Sequence, residues 1–136
     1  MTQPMQDLNT AIQAISEQPQ GADLRAAILA PRPLATKVIP VPEWGVSVEV
    51  REMKAKQRQM VIQSTNKPDG TRDMVRFYPL IVINSAFDPN TGMPIFEAAD
   101  LDALNEGGGT VLERLCQVAV KLSGLDAAQF EETKKD

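Results

Sequence analysis

The chain has 136 residues, 14 of them Lys or Arg and 18 Asp or Glu, with no His and one Cys, for a formal charge of −4. That length allows one ordinary domain, able to bury about 65–70% of its unfolded surface without disulfides or metal, and 43% apolar against 24% charged residues describes a folding chain. Lack of His removes the common zinc sites and His-dependent nucleophiles, one thiol makes no internal bridge, and the acidic balance argues against a broad phosphate-neutralising surface. Only the small basic group Lys54, Lys56 and Arg58 remains; no nucleic-acid partner and no cofactor are expected.

Residues 1–20 are Gln-rich and place Leu8, Ile12 and Ile15 at near-helical spacing before Gln18-Pro19-Gln20-Gly21. They read as a flexible or weakly helical segment ending in a linker, ahead of a single domain at 21–136. No positive charge precedes Arg25 and no run has the length of a signal-peptide core. The longest aliphatic stretch, residues 80–83, falls far short of the ~20 residues of a bilayer span. A reduced, cytoplasmic protein without a membrane partner is expected. Residues 22–30 offer Leu24, Ile28 and Leu29 on a short helix stopped by Pro31 and Pro33.

The apolar period then changes from near four to two. Val46, Val48 and Val50 alternate with Ser47, Glu49 and Arg51, the pattern of a half-buried strand. Residues 37–41 can pair with it across Pro42-Glu43-Trp44-Gly45, giving a β-hairpin at about residues 37–51. Pro40 and Pro42 lack amide hydrogens, so the first strand must be an edge. A lone hairpin is marginal in water, so its valine face needs a cover, and Trp44 at the turn is the natural anchor.

Helix formers return over residues 52–64, and Asn66-Lys67-Pro68-Asp69-Gly70 is a turn. Residues 74–84 satisfy helix and strand patterns alike, with Pro79 inside. Asp88-Pro89-Asn90-Thr91-Gly92 marks another turn, followed by a short helix over about 98–105 and the breaker Gly107-Gly108-Gly109. Thr110 and Glu113 have the spacing of a capping box for a helix whose stripe is Val111, Leu112, Leu115, Val118, Ala119 and Leu122. Ser123-Gly124-Leu125 is a Schellman stop, and Asp126 with Gln129 caps one more short helix. The fold class is α+β, mainly helical, with the hairpin packed on a small helical bundle.

Chemistry is hard to find. Counting Asp88 as the first position of a calcium loop puts Met93 where Gly and Ala99 where Glu are required, so the segment reads as a plain turn and no metal is expected. The triple glycine lacks the Gly-Lys-Ser/Thr of a phosphate loop. Cys116 lies on the apolar stripe as an inert thiol, and Glu97, Asp100, Asp102 and Glu106 read as solvated carboxylates without a pocket or a base. No catalytic residue is assigned.

Two stretches resemble one family when taken in order: Val41-Pro42-Glu43-Trp44-Gly45 with its alternating strand, and the run through Asp88, Gly92, Ile95-Phe96, the acidic short helix and Leu112 to Leu125. They are similar to the small tail assembly chaperones of long-tailed bacteriophages and prophages, over about residues 22–135. The resemblance turns residues 74–84 toward a kinked helix. It implies a non-enzymatic factor in the host cytoplasm that coats the tape measure protein before tube subunits polymerise, and that is absent from the mature virion. It also implies a partner in the tail tube protein through a frameshifted extension, compatible with Lys134-Lys135 because a Lys-Lys codon pair can be a slippery run, and leaves self-association open. On this reading Trp44, Val46, Val48 and Val50 anchor the hairpin, while Leu112, Leu115, Val118, Leu122 and Leu125 form the helical core. Phe77, Tyr78 and Phe130 are candidate client contacts because they sit off the clearest stripes. The alternative is a structural tail or connector subunit retained in the virion.

Overall fold

The computed structural model describes residues 18–125. The chain divides between Pro33 and Leu34 into two units, so the boundary falls after the first described helix. In the first unit, α1 (Ala22–Leu29) opens from Gly21 at a positive φ of 60° and closes at an extended Ala30, beyond which Pro31 and Pro33 forbid helix. None of its residues is buried. The helical expectation around Leu8 to Ile15 lies outside the described residues.

In the second unit, β1 (Thr36–Val41) and β2 (Val46–Arg51) form the expected antiparallel hairpin, with Val41 opposite Val46 and Thr36 opposite Arg51. A 3₁₀ turn at Pro42–Trp44 links them, and Gly45, at φ 68°, makes the left-handed exit that a side chain would strain. The Glu52 amide donates to the Ala35 carbonyl at 2.8 Å, which sets the alternation of the ladder. By that alternation Pro40, opposite Ser47, occupies a non-hydrogen-bonded pair, where its missing N–H faces the open edge and costs the ladder nothing.

One strand escapes the sequence reading. β3 (Ala86–Phe87) pairs with β2 and completes a sheet of order β1-β2-β3; two residues are too few to show any alternation. The valine face also needs correction. Val48 and Val50 are buried with Ile39 and Val41, but Val46 is 54% exposed although its cross-strand partner Val41 is fully buried.

Four helices follow: α2 (Ala55–Ser64), α3 (Met74–Ser85), α4 (Leu101–Glu106), which continues a 3₁₀ turn at Ala98–Asp100, and α5 (Gly109–Leu122). Residues 74–84, open between helix and strand by pattern, are helical. α2 begins three residues later than expected, because Glu52 extends the strand ladder and the Met53 amide donates to Ser123 Oγ at 2.9 Å. α5 starts from Gly108 as N-cap, with no side-chain cap, which corrects the capping box. Gly108 takes the extended cap conformation, so Thr110 is already inside the first turn and cannot cap it.

The α5 stop does follow the sequence. Gly124 sits at φ 70°, its amide donates to the Lys121 carbonyl at 3.3 Å, and the Leu125 amide donates to the Val120 carbonyl at 2.9 Å. These are the two bonds of a Schellman motif, and Leu125 is buried beneath it. The helix expected from Asp126 lies outside the described residues.

The core lies where α5 crosses α3 and the inner face of the sheet. Leu112, Leu115, Cys116 and Ala119 meet Phe77, Ile81 and Val82 from α3 and Val48 and Val50 from β2. Each such aliphatic residue contributes about 1.5–3 kcal/mol of burial, so this junction, rather than α1 or α4, carries the stability. Pro79 sits within α3 and is buried. It cannot donate to the carbonyl four residues back, and that carbonyl, of Val75, instead accepts from Asn105 Nδ2 of α4 at 2.9 Å.

Candidate protein-docking site

An open apolar surface of the second unit is built around the hairpin turn. The 3₁₀ turn places Glu43 and Trp44 side by side, and each is held from a different direction. Glu43 accepts two hydrogen bonds from the Arg114 guanidinium of α5, at 2.6 and 3.1 Å, a fork geometry that fixes orientation as well as distance. The Arg114 bond, helped by a local backbone hydrogen bond, brings the Glu43 carboxyl down from 4.5 to about 2, and Glu43 in turn raises Arg114. The Trp44 ring meets the edge of Phe96 at 6.2 Å and 72°, a favourable aromatic arrangement.

Trp44 remains 40% exposed. Beside it lies a cleft of about 480 Å³ whose apolar walls are Trp44, Ile95, Phe96, Ala103, Leu104 and Leu112. A second cleft, of about 720 Å³, lies along α3 and α4 between Met74, Val75, Tyr78 and Leu104. Leu104, Gly107 and Leu112 belong to both, so the apolar surface is continuous past α4. A third cleft, of about 600 Å³, adjoins Phe77, Tyr78, Cys116 and Leu125.

The structure places the anchor residues unevenly. Val48, Val50, Leu112, Leu115 and Leu125 are buried, Val118 and Leu122 are half-buried against the core, and Trp44 and Val46 reach the surface. Phe77 is 2% exposed and stacks edge-on with Tyr78 at 6.1 Å. Its ring belongs to the core, so Phe77 has no surface left for a client; Tyr78 is half-buried, and Phe130 lies outside the described residues. Ile95, Phe96, Leu104 and Asn105 line these clefts too, although the sequence pattern assigns none of them a contact role. Their one signal was an apolar pair, Ile95-Phe96, directly ahead of an acidic helix too short to show a face.

The candidate chemical groups have local occupations. Asp88 Oδ1 accepts from the Asn90 amide at 2.8 Å and Thr91 Oγ1 from the Met93 amide at 3.2 Å, which close the turn. Asp100 Oδ2 accepts from the Glu97 amide at 2.8 Å. Gly107 ends α4 and Gly108 caps α5. Burial, with the Glu113 charge adding, pushes the Cys116 thiol from 9.0 up to about 12, far from the depressed values of reactive cysteines. Among the described residues no group of three or more Cys, Asp or Glu could hold a metal, and no helix is long and apolar enough to cross a membrane.

The second unit is thus a small α+β body with its core at one helix crossing and open apolar clefts on its surface. Residues 23–136 match the model of the phage tail assembly chaperone family, and the chain belongs to that family. Among solved structures it is similar to the tail assembly chaperone of bacteriophage HK97, with 26% identity and a TM-score of 0.56 over 73% of this chain and 91% of that one. No curated protein sequence matches the chain.

Proposed function

We propose that the protein is a non-enzymatic chaperone of tail morphogenesis that binds the tape measure protein and keeps it soluble in the host cytoplasm until tube subunits assemble around it. The observation that carries this reading is the family match across residues 23–136. The apolar surface around Trp44 and Leu104 supplies a physical means, since an exposed cleft of this kind is where a segment of another chain gains burial. Many weak contacts along one elongated client suffice, because copies gathered on it raise one another's effective concentration. A frameshifted longer product would add a module that recruits the tail tube protein.

Co-expression with the tape measure protein of the same locus tests the reading. The client should be soluble and co-elute with this chain; equal solubility with and without it, and no complex, refutes the proposal. Mass spectrometry of purified particles separates it from a structural tail or connector subunit. A chaperone is missing from mature virions, whereas a structural subunit is found in stoichiometric amount.

A further inference from the structure

Resting on the reading above, we propose that the face around α4 docks a cationic amphipathic helix of the client, its apolar side in the clefts that flank Leu104 and its Lys and Arg side chains against an acidic rim. The apolar half of the argument is geometric. Two open clefts meet at Leu104 and Leu112, and α4, which separates them, has no buried residue of its own. Adjacent apolar hollows suit side chains that recur one helical turn apart on a guest helix.

The charge half comes from the same elements. From Asp88 to Glu113 the chain has six carboxylates, Asp88, Glu97, Asp100, Asp102, Glu106 and Glu113, and no Lys or Arg. The rest of the chain carries 14 basic and 12 acidic residues, so the net acidity of the protein is concentrated on this one segment. Asp100 lines the first cleft and Glu113 the second, while Asp102 and Glu106 are exposed one turn apart on α4. Two of the cations on adjoining elements are already paired, while Arg76 of α3 is exposed. Arg114 holds Glu43, and Arg51 holds Glu49 at 2.9 Å and lies over the Phe87 ring at 4.1 Å. An acidic guest would meet like charge here, and a basic one complementary charge. A second copy presenting this same face is acidic and is disfavoured for the same reason.

Trp44 is the single tryptophan of the chain and lines the first cleft, so its emission reports occupancy directly. The full-length protein is titrated with two synthetic helices lacking Trp, about 18 residues long, that share a Leu face at i, i+3, i+4 and i+7 spacing. One has Lys and Arg on its polar face and the other Glu. The basic helix should shift Trp44 emission to the blue saturably, and the acidic helix should not. The double substitution Asp102→Lys with Glu106→Lys removes no hydrogen bond seen in the structure; with circular dichroism confirming its fold, it should weaken the basic helix about tenfold or more and flatten the salt dependence. Equal binding of both helices, or unchanged affinity in the double variant, overturns the proposal. So does an emission shift that follows chain concentration without peptide, which would identify a second copy as occupant. Co-expression separates the two levels. If wild-type protein and the double variant retain the tape measure protein equally, the assigned face is wrong and the chaperone reading stands; if wild type itself fails to retain it, the chaperone reading fails whatever the peptides do.

Discussion

Pro79 and Asn105 lie on different helices without touching chemically, yet they are two halves of one hydrogen-bond account. The ring nitrogen of Pro79 leaves the Val75 carbonyl without its intrahelical donor, and Asn105 supplies one at 2.9 Å. A neutral hydrogen bond contributes a net 0.5–1.5 kcal/mol, roughly, and the exposure of Val75 lets water replace part of it, so Asn105→Ala is expected to cost about 0.5–1 kcal/mol. Pro79→Ala restores the amide that can reach Val75, and in that background the same Asn105→Ala should cost no more than about 0.3 kcal/mol. The loss of the buried proline ring enters both arms and cancels in the cycle. Urea unfolding of the four proteins at equal m-values measures the difference. Equal costs of Asn105→Ala in both backgrounds would refute the account, and would mean that Asn105 acts through packing alone.

Gly124→Ala should cost about 1 kcal/mol in the same assay; nothing lies within 4 Å of the added Cβ, so the loss is that of the left-handed backbone at φ 70°. Val48→Ala should lose about 2 kcal/mol, whereas Val46→Ala, at a position 54% exposed, should lose less than about 0.5 kcal/mol. Native Cys116 should resist a thiol reagent at pH 8 and react on unfolding. Because its folded pKa of about 12 lies above the unfolded 9.0, the unfolded chain ionises first and stability should fall from pH 9 toward 12, by up to about 1.4 kcal/mol per pH unit, a fall that Cys116→Ala removes. Glu43 has the opposite sign. Its folded pKa of about 2 is below the reference 4.5, so the ion-pair contribution is complete above pH 4.5 and is lost as pH falls toward 2; carboxyl NMR should show that low midpoint in wild type and its return toward 4.5 in Arg114→Met.

What the sequence made legible was local. The period-two valines, the turn glycine at 45 and the Ser123-Gly124-Leu125 stop each depend on neighbours a few residues away, and the structure has them where the pattern put them. Val46 continues the same alternation and is exposed, because alternation names only the face and not what covers each position along it. Thr110 has the right partner at the right spacing, yet Gly108 reaches the extended cap conformation two residues earlier. Residues 74–84 were undecidable by pattern because the helix there is stabilised from outside: Phe77, Ile81 and Val82 are buried against other elements, and an Asn on another helix serves the carbonyl that Pro79 strands.

The α4 face was least legible for a related reason. Its walls come from the hairpin turn, the Ile95-Phe96 loop, α3, α4 and the start of α5, so no single window of sequence contains it. The same dispersal has an energetic consequence. α4 has no buried residue and is tied to α3 through the Asn105 bond and the half-buried Leu104, while the core at the crossing of α3, α5 and the sheet closes without it. An element so attached opens at less cost than the body that bears it. Loosening it through Asn105→Ala should therefore weaken a helix bound across Leu104 by more than the small stability loss alone would suggest, because the two clefts lose their common wall before the core unfolds. Hydrogen exchange resolved by segment decides the point: α4 amides should exchange faster in that variant while those of α5 keep their protection. Equal acceleration in both helices would show that α4 opens only with the whole unit.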